Sequence, residues 1–141
     1  MREINQITGQ IVDAAYRLHT TLGPGLVESA YRLALMTDLT KRGLKVEQEK
    51  HISFEYQGIQ IINAFRLDLL VEGRVVAELK SLEKLAPVHR KQILTYLRLL
   101  DLPVGLLINF GAARMNEGLH RIVNDRSSLA ATSIVAGRRS R

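Results

Sequence analysis

Cysteine and tryptophan are absent from this chain of 141 residues, and aromatic residues make up only 5% of it. Without cysteine the protein has no disulfides and no thiolate ligands, so any metal must be bound through oxygen or histidine nitrogen. Hard cations are therefore the leading candidates. The scarcity of aromatic side chains also argues against an extended platform on which single-stranded nucleic acid would stack.

Long hydrophobic runs are also absent. No apolar stretch approaches the ~20 residues that span a bilayer, and the N-terminus MREINQITGQ lacks the apolar core of a secretory signal. We therefore expect a cytoplasmic protein that makes no use of a membrane. With 46% hydrophobic and 24% charged residues, the composition indicates a globular domain of ordinary size.

The net charge of +6 is distributed unevenly. Four positive charges lie in residues 126–141, which contain no acidic residue: Arg126, Arg138, Arg139 and Arg141. Residues 1–125 therefore carry only two net positive charges, too few to identify a partner from charge alone. We predict one domain over residues 1–125, followed by a basic, flexible tail over residues 126–141 that attracts polyanions nonspecifically.

Hydrophobic periodicity predicts an α/β domain. Apolar residues at helical spacing indicate helices, and alternating apolar residues indicate strands. The predicted elements are helices over 3–20 and 26–41, strands over 52–57, 59–71 and 74–82, a helix after Pro87, a strand over 104–110 and, left open, a short strand over 119–123. Within the second strand the apolar series expected on one face is Phe65, Leu67, Leu69 and Val71. The order is α-α-β-β-β-α-β, with one more β left open.

The segment VAELKS at residues 76–81 places two charged side chains in a strand that otherwise looks buried. Because strand side chains alternate, Glu78 and Lys80 share one face with Val76. Burying a charge costs several kcal/mol unless the group is paired or bound to a metal. The two residues therefore indicate either a functional site or an edge-strand charge pair that discourages aggregation.

Asp68 on the preceding strand joins this pair in only one hairpin register. A two-residue loop at positions 72–73 sets Asp68 opposite Ala77, and the two carboxylates then point to opposite faces. A loop one residue longer, or a bulge, sets Asp68 opposite Glu78 instead. We predict this second register, since it alone builds a site; otherwise Asp68 could simply pair with Arg66.

Polar residues on two helices provide further candidates. Glu28 and Tyr31 share one side of the second helix, and His89, Gln92 and Tyr96 form a polar stripe on the third. Each has a structural alternative. Glu28 in a first turn can simply stabilise the helix dipole, His89 at a helix start is commonly solvated, and a Gln–Tyr pair one turn apart is commonly a half-buried contact.

The order Asp68-x9-Glu78-x-Lys80 on adjacent strands, followed by Gln92-x3-Tyr96 on the next helix, resembles the PD-(D/E)xK nuclease superfamily. The Gln-x3-Tyr helix is similar in particular to the exonuclease branch of that superfamily. The resemblance implies a restriction-endonuclease-like core, in which helices flank a mixed β-sheet.

A narrower resemblance is to the bacterial GxxExxY protein family. It is carried by the segments GLVESAY, LDLLVEGRVVAELKS, HRKQILTYLRLL and GLLINFG, and it extends from about Ile4 to Val123. One departure from the superfamily pattern is Leu67, which stands where a proline would precede Asp68.

The resemblance implies a Mg²⁺-dependent nuclease that acts on DNA, with RNA left open and Mn²⁺ as a substitute ion. The implied metal ligands are Asp68, Glu78 and the main-chain carbonyl of Leu79. Such a set suits Mg²⁺, which prefers oxygen ligands and keeps several waters.

The implied catalytic residues are Lys80, Glu28, Gln92 and Tyr96. Lys80 would position or help deprotonate the attacking water, and would offset developing negative charge. Glu28 would act on the metal through a water, or hold a second ion. Gln92 and Tyr96 would fix Lys80 or the phosphate backbone. The alternative is a noncatalytic nucleic-acid-binding or protein-interaction module with the same fold, and a homodimer is left open in both cases.

Overall fold

The structure, a computed structural model, describes residues 3–125 and the backbone of Ile134–Ala136. The elements are α1 (Ile4–Leu22), α2 (Glu28–Lys41), β1 (Val46–Tyr56), β2 (Ile59–Val71), β3 (Val75–Lys80), α3 (Pro87–Leu100), β4 (Val104–Asn109), α4 (Met115–Gly118), β5 (Leu119–Val123) and β6 (Ile134–Ala136). The strands form one sheet in the order β5-β4-β3-β2-β1-β6. β3 and β4 are parallel, and the other neighbouring strands are antiparallel. The predicted α/β fold, a mixed sheet flanked by helices, is confirmed.

Helices cover both faces of this sheet. On one face, α1 and α2 pack in a cluster with Val75 and Leu79 of β3. On the other face, Ile93 of α3 packs in a second cluster with Val76 and Leu107. β3 and β4 are therefore buried on both sides, which explains their nearly continuous apolar sequences. None of the helices in the described part of the chain is both long and apolar enough to cross a membrane.

Several element boundaries differ from those that the sequence predicts. β1 begins at Val46 rather than at residue 52, because β2 is long enough to pair with the polar segment that precedes the alternating one. α2 begins at Glu28 rather than at residue 26, and β3 ends at Lys80 rather than at residue 82. α4 has only four residues, too few for a periodic signal, and it was not predicted.

The apolar series predicted for one face of β2 is divided between two faces. Leu69 and Val71 pack with α1 and α2, whereas Phe65 and Leu67 pack on the side of α3. The neighbouring strand β1 is irregular here: Glu49 has a positive φ of 49°, and the β1–β2 register shifts further along the pair. Such irregularities break the two-residue alternation on which the prediction of a single face relied, and that prediction was wrong.

The predicted basic tail over residues 126–141 is described only in part. Ile134–Ala136 forms β6, a strand that the sequence analysis did not specify, and it pairs antiparallel with the end of β1. Arg126, Arg138, Arg139 and Arg141 lie outside the described residues. The boundary of the tail and its flexibility therefore stay predictions.

The segment that follows β3 is held tightly against the end of β4. The Asn109 side chain accepts the N–H groups of Leu82 and Gly111 at 2.9 and 3.1 Å, and it donates to the Leu82 carbonyl at 2.9 Å. A Cβ atom added to Gly111 would lie 2.3 Å from the Leu82 carbonyl oxygen. Only glycine fits this approach of two backbones, which fixes the chain immediately after Lys80.

We expect Gly111→Ala to lower the free energy of unfolding by about 1–3 kcal/mol, since two backbone segments would have to separate. Gly9→Ala is the matched control, because Gly9 lies in α1 and an added Cβ would have no neighbour within 4 Å apart from the adjacent residues and backbone of its own helix. That change should instead raise the free energy of unfolding by about 0.5–1 kcal/mol. Urea unfolding followed by circular dichroism measures both, and equal values would contradict the close approach at Gly111.

Candidate functional site

The β2–β3 hairpin adopts the longer of the two registers considered. Val71 pairs with Val75 across a loop of residues 72–74, in which two successive residues have positive φ. This register sets Asp68 opposite Glu78 and directs both carboxylates to the face that α3 covers. The hairpin geometry needed for a site is therefore present.

The two carboxylates hydrogen-bond to the backbone across the hairpin. The ladder of paired residues between β2 and β3 extends to Leu69 and Ala77. Beyond it, the Asp68 N–H donates to Glu78 Oε2 at 2.9 Å, and the Leu79 N–H donates to Asp68 Oδ2 at 2.8 Å. These two side-chain hydrogen bonds take the place of the next backbone–backbone bonds between the strands. The buried N–H groups of Asp68 and Leu79 therefore keep acceptors, and the two carboxylates are held in position.

A cavity of about 290 Å³ lies over this pair, between the sheet and α3. Its wall includes every side chain that the sequence analysis assigns to the site: Glu28, Asp68, Glu78, Lys80, Gln92 and Tyr96. Arg66 and His89 line it as well, beside the apolar Ile93 and Leu107. The structure brings the candidate side chains together around one space, while their catalytic roles stay predictions.

The carbonyl of Leu79 is the remaining candidate ligand. In a strand the N–H and the C=O of one residue point to the same side. The Leu79 N–H donates to Asp68 on the β2 side, whereas the Lys80 carbonyl accepts the Phe110 N–H at 2.8 Å on the β4 side. The Leu79 carbonyl therefore points towards β2, on the side where the Asp68 carboxylate lies.

Negative charge is crowded in the cavity. Burial raises the pKa of Glu78 well above its usual value, and the neighbouring Asp68 charge raises it further, while Lys80 opposes both effects. The pKa of Glu28 is also raised, mainly by burial, against the lowering effect of Lys80. Burial and the charges of Glu78 and Asp68 raise the pKa of the Tyr96 hydroxyl, so Tyr96 stays protonated and can donate.

The donor set fits a hard divalent cation. The side chains around the cavity include three carboxylates and two cationic groups, and a bound cation would offset the burial and the repulsion by Asp68 that raise the pKa of Glu78. Among the described residues, no three His, Asp or Glu side chains converge as a fuller ligand cluster. A pair of carboxylates is sufficient for Mg²⁺.

The loop before α2 determines where Glu28 lies. The buried Tyr31 hydroxyl donates to the Gly23 carbonyl and accepts the Leu26 N–H at 3.2 Å. Ser81 Oγ donates to the Leu26 carbonyl at 2.5 Å, which joins this loop to the end of β3. Tyr31 is thus a structural residue that presents Glu28 to the cavity.

Sequence reasoning missed the ion pairs that hold Arg66 at the cavity. Glu49 Oε2 lies 3.0 Å from Arg66 Nη1, and Glu49 Oε1 lies 3.4 Å from Arg32 Nη2. Arg66 Nη2 is also 3.8 Å from Asp68 Oδ1. From the sequence, Arg66 was expected only as an alternative partner of Asp68. The signal that could have identified it is a basic residue two positions before a candidate ligand, on the same strand.

His89 has a defined role in the wall of the cavity. Its Nδ1 accepts the Ala86 N–H at 3.0 Å, at the start of α3. A nitrogen that accepts carries no proton, so the neutral ring carries its proton on Nε2. A histidine at a helix start is commonly solvated, whereas His89 makes a capping bond and lies beside the candidate carboxylates.

We expect Glu78→Gln to make the metal-free protein more stable than the wild type at about pH 8, with little difference near pH 4. A carboxyl whose pKa is raised by folding binds its proton more tightly in the folded state. The protonated carboxyl therefore contributes fully to the free energy of unfolding below the usual pKa of 4.5. This contribution is lost as the pH rises through the raised pKa of the folded state. Glutamine carries no charge and retains an oxygen that can accept the Asp68 N–H.

Melting temperatures measured against pH in the presence of a chelator would check this prediction. Glu83→Gln, at an exposed loop position, is the control and should follow the wild type throughout. If the difference in melting temperature between wild type and Glu78→Gln is the same at every pH, the buried carboxyl does not titrate as inferred.

Comparison with known proteins gives one family match. No curated protein and no solved structure gives a significant match. A family model described as the PD-(D/E)XK nuclease superfamily matches residues 5–122, a range that includes all the side chains around the cavity. The chain therefore belongs to the PD-(D/E)XK nuclease superfamily.

Proposed function

We propose that this chain is a metal-dependent nuclease that hydrolyses phosphodiester bonds of DNA, with RNA as the second substrate to test. The observation that supports this most directly is the convergence of Asp68, Glu78 and Lys80 on one cavity. Packing does not require two carboxylates and an ammonium at the edge of a core, whereas phosphodiester hydrolysis uses all three. A cytoplasmic location and a homodimer stay predictions.

We also propose that the chain belongs to the bacterial GxxExxY branch of the superfamily. Each of the three motif positions has a separate use in the structure. Gly25 adopts a positive φ of 113°, which a residue with a side chain rarely adopts. Glu28 lines the cavity, and Tyr31 holds the loop that presents it.

Mg²⁺ is the proposed cofactor, with Mn²⁺ as a substitute. Asp68, Glu78 and the Leu79 carbonyl would hold it, with Glu28 acting through a water or on a second ion. When bound, the ion supplies Lewis-acid stabilisation of the phosphoryl oxygens and lowers the pKa of a water nucleophile.

Lys80 provides positive charge beside the reacting phosphate. Its ammonium is close enough to Glu28 and Glu78 to affect the pKa of both carboxyls. In this position it would hold the attacking water, or take its proton, and it would offset the negative charge that develops on the phosphate.

The remaining polar side chains would bind and orient the substrate. The Arg66 guanidinium, held by Glu49, has the planar geometry that suits a phosphate. Tyr96 and His89 would donate through the hydroxyl and through Nε2, and Gln92 through its amide. Groups fixed in this way lower the entropic cost of bringing the phosphate to the nucleophile.

We expect Asp68→Asn and Lys80→Met each to slow single-turnover cleavage by about 100-fold or more, because each removes a charge at the reacting centre. The controls are Asp101→Asn and Lys84→Met, at exposed positions outside this cavity. Asp101 has a left-handed conformation that asparagine tolerates. Single- and double-stranded DNA and RNA, each with Mg²⁺, Mn²⁺ or a chelator, are the substrates. Binding without cleavage by the wild type would favour the noncatalytic module.

Metal binding can be tested without nucleic acid. Millimolar Mg²⁺ or Mn²⁺ should raise the melting temperature of the wild type and of Asp101→Asn, because a ligand that binds only the folded state stabilises it. Asp68→Asn should lose this shift. Differential scanning calorimetry measures it, and an equal shift in Asp68→Asn would show that the ion binds elsewhere.

A further inference from the structure

An apolar groove adjoins the cavity, between the β1–β2 hairpin and α3. It encloses about 520 Å³, and its wall includes Phe54, Ile61, Phe65, Lys91, Tyr96 and Leu99. The whole chain has three phenylalanines and four tyrosines, so three of its seven aromatic rings line this one groove. In a chain with so few aromatics, this concentration gives the groove a surface that a flat apolar ligand would match.

The groove is continuous with the cavity through one side of α3. Gln92 and Tyr96 line both spaces. The Tyr96 ring stacks on Phe65, with centroids 4.2 Å apart and planes 2° from parallel. Its hydroxyl is close enough to the Asp68 and Glu78 carboxylates to be affected by their charges. A ligand that fills both spaces therefore needs a polar, charged part and a flat apolar part a short distance apart.

We propose that this groove binds an unpaired nucleobase next to the scissile phosphate, so that the substrate is single-stranded or frayed nucleic acid. The inference rests on the proposed function, because it takes the cavity as the phosphate site. A nucleotide joins a charged phosphate to a flat π surface through one sugar. The cavity provides Arg66 and Lys80 for the first part, and the aromatic groove provides a surface for the second.

A paired base cannot enter such a groove. In a duplex the faces of each base are covered by its neighbours, and an enzyme that needs the base must act on a single strand or unstack it. Stacking on aromatic side chains tolerates any base, and Lys91 on α3 adds a positive charge for the adjoining backbone. A single subsite of this kind also agrees with the small number of aromatics, which argues against an extended platform.

The test compares two single strands of about eight nucleotides, one carrying thymine at every position and one abasic throughout. Their phosphate charges are equal, so any difference in affinity comes from the bases. Fluorescence anisotropy in a chelator would report binding without cleavage. We expect the wild type to bind the thymine strand about tenfold more tightly than the abasic strand, and more tightly than a hairpin duplex of thymine and adenine.

The variants Phe54→Leu and Phe65→Leu remove a flat ring but keep an apolar side chain. In both variants the affinity for the thymine strand should fall nearly to the affinity for the abasic strand. Removing the ring and removing the base each delete the same stacking interaction, so the two changes do not add. Tyr16→Leu changes an exposed aromatic residue on α1 and should retain the tenfold preference. Urea unfolding of each variant would confirm that it is folded.

The outcomes separate this inference from the proposed nuclease activity. Equal binding of the two strands by the wild type would overturn the groove proposal, even where cleavage is observed. If the protein prefers the thymine strand in a way that depends on the aromatic rings, but cleaves no nucleic acid, the groove proposal stands and the proposed nuclease activity is refuted. Phe54→Leu could instead change the oligomeric state measured by sedimentation and leave the oligonucleotide affinities unchanged. That result would assign the groove to a second copy of the chain and overturn the proposal.

Discussion

Asp68 and Glu78 exchange hydrogen bonds with the backbone across the hairpin at the point where the ladder between β2 and β3 ends. A buried N–H that loses its acceptor costs about 1–3 kcal/mol, so neither carboxylate can move away without leaving an unsatisfied donor. The sheet therefore holds the two carboxylates together, although burial and, after it, the charge of Asp68 raise the pKa of Glu78. In this chain, the candidate site is built into the architecture of the sheet.

Three of the elements that line the cavity, α2, β2 and β3, are each fixed by a polar contact outside it. Tyr31 bonds to the loop before α2, Asn109 bonds to the segment after β3, and Glu49 holds the Arg66 guanidinium. Such supports limit the motion of the groups that they carry, which is what a site needs when it must hold a phosphate and a water in line. These contacts explain the presence of Tyr31, Asn109 and Glu49, to which no catalytic role is assigned.

Where apolar periodicity is strong, the sequence was sufficient to predict the helices and strands of an α/β domain, whereas the mixed sheet was implied by the resemblance to the superfamily. Polar residues on two strands and two helices were visible as candidates, but their assignment to one site was implied by the resemblance to the superfamily. The loop length of the β2–β3 hairpin was harder, since it depends on the positive φ of Glu72, which its residue type does not disclose. The sheet face on which Phe65 and Leu67 lie depends on the irregular pairing of β1 with β2. The Glu49–Arg66 ion pair depends on the register of the same two strands.

The parallel pairing of β3 with β4 has a consequence for chirality. Parallel neighbours cannot be joined by a tight turn, so the connection that contains α3 must cross one face of the sheet. Such crossovers are right-handed in about 98% of cases, a preference that comes from the handedness of L-amino acids. With the strand order given, this handedness selects the face that α3 covers, and Glu78 and Lys80 point to that face. Gln92 and Tyr96 thus meet the carboxylates through the geometry of the backbone, before any contact between the side chains is specified.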